Sequence, residues 1–315
     1  MILVAGSISM ELEHLCNVFP EDGGSECARI HRRLGGKGAL QAIAAMRCGS
    51  DVCFAGATGE DAMGKEIRLW MKNQLPQSHL AIYEGSPSGC CSVWQDSRGE
   101  RRRLVAHGAN QLLNLSDIPA LLRESCAVLL LQLEGNRQTI VELLKKALNT
   151  ECCRILNVTP MTPEYSTEGV HLANVVLCNQ KAFSGLVQQL HPGGYGDFTE
   201  NQIHALSDGK LHAMCRSCFE QSVVLTLGAR GCFVSTREAH KLLPAVAHPD
   251  IVDCYGAGDV FAGALAAGLE KCAGDLFAAA AYANAVATLS CTRRGSVEAI
   301  PHKSEILTFL AREAG

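Results

Sequence analysis

The chain has 315 residues, 47% of them hydrophobic and 19% charged, with a formal net charge of −4. That balance describes a globular protein of one large or two small α/β domains and gives no electrostatic case for nucleic acid or an anionic membrane. No apolar run reaches the roughly 18 residues that a membrane-spanning helix needs, and Met1–Gly6 is too short and lacks the basic start of a signal peptide, so a cytoplasmic location is expected.

The N-terminal run Ile2-Leu3-Val4-Ala5 reads as a buried strand. Only Gly6 follows it, so the three-glycine fingerprint of a dinucleotide fold is missing. Residues 26–34 alternate small or apolar with polar side chains and read as an edge strand. Gly35-Gly36-Lys37-Gly38 then opens the helix that contains Ile43–Arg47. Its glycines allow a ligand close to the backbone at a helix start. Gly38 stands where a Walker A loop would have Ser or Thr.

Residues 85–96 and 101–107 read as two strands around the turn Asp96-Ser97-Arg98-Gly99. The basic run Arg101-Arg102-Arg103 is expected to be a solvated edge that deters sheet-to-sheet pairing. Ala127–Leu133 is a continuous apolar run that ends at Glu134, as a buried parallel strand does when it reaches a site at its carboxyl end. Further strands are expected at Arg154–Leu156, Val175–Asn179 and Ser222–Leu227, the last closed by the glycine turn Gly228–Gly231.

The 16 cysteines are scattered through apolar segments, which favours reduced thiols over a disulfide framework. Cys215 and Cys218, near His204 and His212, lack the second cysteine pair of a zinc site, and their spacing also fits one helix face.

Asp253-Cys254-Tyr255-Gly256-Ala257-Gly258-Asp259 leads into an Ala-rich helix. Unpartnered N–H groups and the positive end of the helix dipole make such a start an anion site. A carboxylate on its first turn, Asp259, suits transfer of an anion to a hydroxyl that the carboxylate deprotonates. A second Ala-rich helix spans Leu276–Leu289, and Ser290–Gly295 forms a loop.

Both glycine-rich stretches resemble the two signatures of the ribokinase-like (PfkB) carbohydrate kinases, in the same order. Gly56–Gly64, Ser88-Gly89, Gly108–Asn110 and Gln132–Glu134 match further landmarks, so the resemblance covers nearly the whole chain. It implies one α/β domain over residues 1–315: a mostly parallel, doubly wound sheet with helices on both faces and a small β lid. The lid strands fall within about 9–34 and 85–107.

The resemblance further implies an ATP-dependent sugar kinase that phosphorylates a primary hydroxyl, of ribose or a related pentose. Asp259 is its implied base, with the backbone of Gly256, Ala257 and Gly258 around the phosphoryl group. Glu11, Gly36, Lys37 and Glu134 would border the sugar. Asn179, Thr226, Gly228, Gly231 and Asn284 would border ATP–Mg2+. Asp253, Tyr255, Ser290, Arg293 and Gly295 would surround a potassium ion, mostly through backbone carbonyls, and the lid strands would pair in a homodimer. The chain departs from the family pattern at Glu11 (for Asp), Leu40 (for Asn), Ala182 (for Glu) and Ala299 (for a hydroxyl ligand). Those departures leave two alternatives: a kinase of the same fold for another sugar or a nucleoside, and a catalytically weak binding or regulatory protein.

Overall fold

Strand β1 (Ile2–Ala5) alternates its side chains between two hydrophobic clusters. Ile2 and Val4 join the cluster built on the helices Lys37–Arg47, Ala257–Lys271 and Leu276–Ser290. Leu3 and Ala5 join the one built on Arg137–Ala147, Gln180–Leu190 and Asp208–Cys218. The sheet is thus buried on both faces, which is why its strands read as continuous apolar runs. The computed structural model describes residues 1–19, 26–161, 167–191 and 198–313.

The remaining strands are β2 (Ser9–Cys16), β3 (Cys27–Gly35), β4 (Val52–Gly59), β5 (Ser78–Tyr83), β6 (Cys90–Gln95) and β7 (Arg101–Ala106). They continue with β8 (Val128–Gln132), β9 (Cys153–Asn157), β10 (Val175–Asn179), β11 (Ser222–Thr226), β12 (Cys232–Ser235) and β13 (His240–Leu243). The large sheet runs β13-β12-β11-β10-β9-β8-β1-β4-β5. From β11 to β5 every neighbouring pair is parallel, while β12 and β13 add an antiparallel edge.

A second sheet, β3-β2-β6-β7, projects from residues 9–35 and 90–106. Residues 20–25 of the expected lid lie outside the described residues. One expectation changes here. Residues 85–89 are not strand, because Gly85 turns the chain at φ 73°. Strand β2, one of the lid's two interior strands and within the expected 9–34 range, carries Glu11 and Glu13 on alternate positions.

The helix Ala257–Lys271 is buried almost throughout and packs against both Lys37–Arg47 and Leu276–Ser290. Its small residues permit that approach: a Cβ on Gly263 would strike the Gln41 carbonyl oxygen and lie 2.8 Å from Ala44 Cβ. This contact fixes the two glycine-rich helix starts relative to each other. His204, His212, Cys215 and Cys218 are not gathered: His212 Nδ1 meets Ser235 Oγ at 2.9 Å, while His204 Nδ1 lies 3.4 Å from Gln180 Nε2.

Candidate active site

The carboxyl ends of β1, β8, β9, β10 and β11 share one edge of the sheet, where ligands of open α/β folds bind. Glu134 follows β8, while Asn179 and Thr226 close β10 and β11 as register partners.

At the start of the Ala257–Lys271 helix, Gly256 adopts φ 79°, a left-handed conformation that suits glycine. The Ala257 N–H donates to the Cys254 carbonyl at 3.2 Å, so the turn itself consumes it. Among the described residues, the Gly256 and Gly258 N–H groups have no such partner. A Cβ on either glycine would project into open space. The result is an anion cradle of two free donors rather than the expected three.

Asp259 is buried beside this cradle at 9% exposure. Gln41 Nε2 donates to its Oδ1 at 2.9 Å, and Lys37 Nζ lies 3.8 Å from its Oδ2. Burial pushes the Asp259 carboxyl up, and Lys37 and Gln41 draw it only part of the way back. The Asp259 charge in turn holds the Lys37 ammonium above its ordinary value. Gln132 Nε2 donates to Gln41 Oε1 at 2.7 Å, so a buried amide chain orients the carboxylate. Neither Gln41 nor Gln132 was given a site role from sequence, although Gln132 falls in a matched landmark. The available signal was spacing, because Gln41 follows Lys37 by one helical turn.

At the other side of Lys37, Glu134 Oε2 accepts from Ser7 Oγ at 2.6 Å and from the Lys37 N–H at 3.3 Å. Gly36 (φ 93°) permits this arrangement, since a Cβ there would come within 2.6 Å of Ile8 Cα. Glu11 is buried, and its Oε2 accepts from the Tyr255 hydroxyl at 2.7 Å. Burial pushes the Glu11 carboxyl up, and Tyr255 works against that rise. Leu40, standing where the family signature has Asn, is 6% exposed within the apolar cluster.

The residues expected along the nucleotide act mainly on backbone. Asn179 Oδ1 caps the helix Gln180–Leu190 by accepting from the Ala182 N–H at 2.8 Å. The Thr226 hydroxyl donates to the Cys178 carbonyl at 3.4 Å. Gly228 and Gly231 bracket the turn that joins β11 to β12. Asn284 Nδ2 donates to the Pro244 carbonyl at 2.6 Å, pinning the segment that Gly231 also packs against.

The arginine run lies on an edge strand as expected, with Arg102 and Arg103 exposed, but Arg101 is docked on the signature turn. Alternation on β7 turns Arg101 and Arg103 toward the signature turn and Arg102 away from it. Arg101 Nη1 and Nη2 donate to the two carboxylate oxygens of Asp253 at 2.7 and 2.8 Å, and the Arg101 guanidinium lies 4.8 Å from the Tyr255 ring centroid. Arg103 also lies over that ring, at 5.9 Å, whereas Arg102 sits 4.2 Å from the Phe19 ring.

This pairing bears on the expected potassium ion. Both Asp253 oxygens are occupied, and Tyr255 N–H adds a 3.0 Å bond to Oδ1. The Ser290 hydroxyl is turned to Ala287, and the Arg293 side chain to Glu305. Gly295 has Arg33 beside it: a Cβ there would lie 3.0 Å from Arg33 Nη1. The Asp253 carboxylate is therefore taken by Arg101, whereas the backbone carbonyls of Asp253, Tyr255, Ser290, Arg293 and Gly295, the main ligands that the resemblance implies, accept no hydrogen bond among the described residues.

A parallel sheet wound on both faces, a four-stranded lid and a buried carboxylate at a glycine-rich helix start define the ribokinase-like class of phosphotransferases. The chain belongs to the pfkB family of carbohydrate kinases, whose model matches residues 1–303. It is a phosphotransferase with an alcohol group as acceptor, a sugar kinase of the ribokinase type. It is similar to the ribokinase of Dictyostelium discoideum, 26% identical over 284 residues that cover 86% of this chain and 88% of that protein. Among solved structures, ribokinase from Giardia lamblia matches with a TM-score of 0.87 at 24% identity, covering 99% of this chain and 98% of that one. Arabidopsis thaliana ribokinase, complexed with ribose and ATP, matches with a TM-score of 0.82 at 22% identity, covering 98% of each chain. Among the described residues, no helix is long and apolar enough to cross a membrane.

Proposed function

We propose that the protein transfers the γ-phosphoryl group of ATP to a primary hydroxyl of ribose or a related pentose. The observation that carries this reading is the buried Asp259 carboxylate beside the free Gly256 and Gly258 N–H groups. Asp259 takes the proton of the attacking hydroxyl, and its raised pKa strengthens it as a base. The two N–H groups and the positive helix end stabilise charge on the transferring phosphoryl group, with Ala257 holding the turn that aims them. Lys37 balances the charge of Asp259 from the sugar side.

Glu11, Gly36, Lys37 and Glu134 border the sugar, and Asn179, Thr226, Gly228, Gly231 and Asn284 border ATP. Magnesium enters with ATP. Ala182 offers no ligand atom where the family pattern has Glu, so magnesium would be held chiefly by the ATP phosphates and water, near Asn179. The lid excludes water that would otherwise accept the phosphoryl group. The reading is supported by the ribose and ATP found with the Arabidopsis relative.

The reading includes a homodimer formed through the lid strands. Its support is the lid's outer face, where Ile30, Trp94 and Leu104 are 57%, 38% and 76% exposed.

A second reading, a different sugar or a nucleoside as acceptor, is favoured by one observation. Tyr255 takes a Glu11 oxygen, and Leu40 offers no hydrogen bond, so the acceptor meets fewer polar groups. ADP release with ATP and magnesium, measured against ribose, deoxyribose, fructose and nucleosides, decides between the two. Turnover of ribose supports the first reading, and turnover of another acceptor alone supports the second. Failure with every acceptor while ATP still binds overturns both in favour of a binding protein.

A further inference from the structure

The inner face of the lid turns Arg103 toward the acceptor site. Arg101, Arg103 and Val105 share one face of β7. Sheet register sets Arg103 opposite Val93 and Val105 opposite Cys91, and Cys91 in turn lies opposite Glu11. The Arg103 guanidinium lies 5.9 Å from the ring centroid of Tyr255, whose hydroxyl donates to Glu11 Oε2. Burial dominates the pKa of Glu11 and of Asp259, and the Asp259 charge that of Lys37, yet the field of Arg103 acts on all three and lowers each. Arg103 is therefore within electrostatic reach of the base and of the residues that border the acceptor.

The neighbouring cations each have a carboxylate. Lys37 Nζ is 3.8 Å from Asp259, Arg33 Nη2 is 2.9 Å from Glu13, and Arg101 is docked on Asp253. Arg103 has no ion pair among the described residues, and it is exposed. The carboxylates of the acceptor site are already engaged: Glu134 accepts from Ser7 and the Lys37 N–H, and Glu11 from Tyr255. Leu40 meanwhile offers the acceptor no hydrogen bond. The site thus has one fewer neutral polar contact and one unpaired guanidinium. That group is a donor only, and its planar fork matches the oxygens of a carboxylate or a phosphate.

We propose that Arg103 is a specificity-determining residue whose guanidinium receives an anionic group of the acceptor. The favoured acceptor then carries a carboxylate or a phosphate besides its primary hydroxyl, and is preferred over the neutral parent sugar. The inference rests on the kinase reading above and names the acceptor class within it. The chemistry is unchanged: the primary hydroxyl gives its proton to Asp259 and takes the phosphoryl group, while Arg103 holds the far charge from the lid.

The test compares kcat/KM, from ADP release with ATP and magnesium, for ribose against ribonate and ribose 1-phosphate, and for fructose against fructose 6-phosphate. Each charged compound keeps a free primary hydroxyl. The wild-type protein is expected to favour at least one of them over its parent by about 10–100-fold, the usual gain from charge-assisted hydrogen bonds. Ribonate against the two phosphates tells whether the group is a carboxylate or a phosphate. Arg103→Gln is expected to lose most of the preference, chiefly as a higher KM for the charged acceptor, and Arg103→Lys to keep part of it. A merely structural arginine would lower kcat/KM for charged and neutral acceptors alike.

The proposal is overturned if the neutral parent is the better acceptor in every pair, or if Arg103→Gln lowers both members of a pair by the same factor. Loss of the kinase reading shows separately, as absence of turnover with every acceptor. Calorimetric titration with ribose, ribonate and ribose 1-phosphate then decides the role of Arg103. Tighter binding of a charged compound that Arg103→Gln removes supports it, and equal or weaker binding than ribose overturns it.

Discussion

Lys37 Nζ lies 3.8 Å from Asp259 Oδ2, so one ion pair joins the two glycine-rich signatures. Each signature contributes a helix start, and the tight packing of those helices along Gly263 makes the pairing possible. The pair sits at the junction of the proposed sugar and phosphoryl sites.

Asp259→Asn keeps the shape of the side chain and removes the base. Turnover is expected to fall by about 10²–10⁴-fold, the usual contribution of general-base catalysis, while ATP affinity stays within about threefold. Steady-state kinetics and calorimetry on the same preparation check this. Equal loss of both would assign Asp259 a structural role instead.

The raised pKa of Asp259 sets a pH dependence with a definite sign. The base must be ionised, so kcat/KM falls as pH drops through the pKa of Asp259. That acid limb lies above the range of an ordinary Asp near about 4. Because Lys37 pulls the pKa down, Lys37→Met is expected to move the limb to still higher pH, as seen in pH–rate profiles of the two proteins. A limb that does not move would separate Lys37 from Asp259 ionisation.

Gly263→Ala tests whether helix packing governs the site. The added methyl meets the Gln41 carbonyl and Ala44 Cβ, and overpacking of this kind costs about 1–3 kcal/mol. Pushing the Lys37–Arg47 helix away also loosens the grip of Lys37 and Gln41 on Asp259. Thermal melting and kcat are therefore expected to fall together. A loss of stability with unchanged kcat would show that the site tolerates the shift.

Leu104→Glu places a charge on the lid's exposed outer face, on its edge strand β7. If that face is the proposed dimer interface, light scattering should show a shift to monomer with little change in melting of the subunit. An unchanged mass would exclude this face.

Much of the scaffold was legible in the chain itself. Strands buried on both faces leave apolar runs, and β8 and β10 were each foreseen to within a residue or so at their ends. The glycine-rich stretches at 35–38 and 256–258 announced the two helix starts, where Gly36 and Gly256 take the positive φ that glycine permits.

What each polar side chain does at the site was decided only by tertiary structure. Asn179 and Asn284 match a nucleotide-binding pattern, yet their side chains hold backbone groups at Ala182 and Pro244. Alternation along β7 showed that Arg101 and Arg103 share a face, but the direction of that face depends on how the lid folds back over residue 253. The deciding contacts, Gln41 to Asp259, Gln132 to Gln41 and Arg101 to Asp253, span 218, 91 and 152 residues. Sequence therefore determined which segments are strands, helix starts and turns, through local propensity and burial patterning. Only the packed structure decided which charges meet, because ion pairs and amide chains are set by three-dimensional proximity that no local pattern encodes.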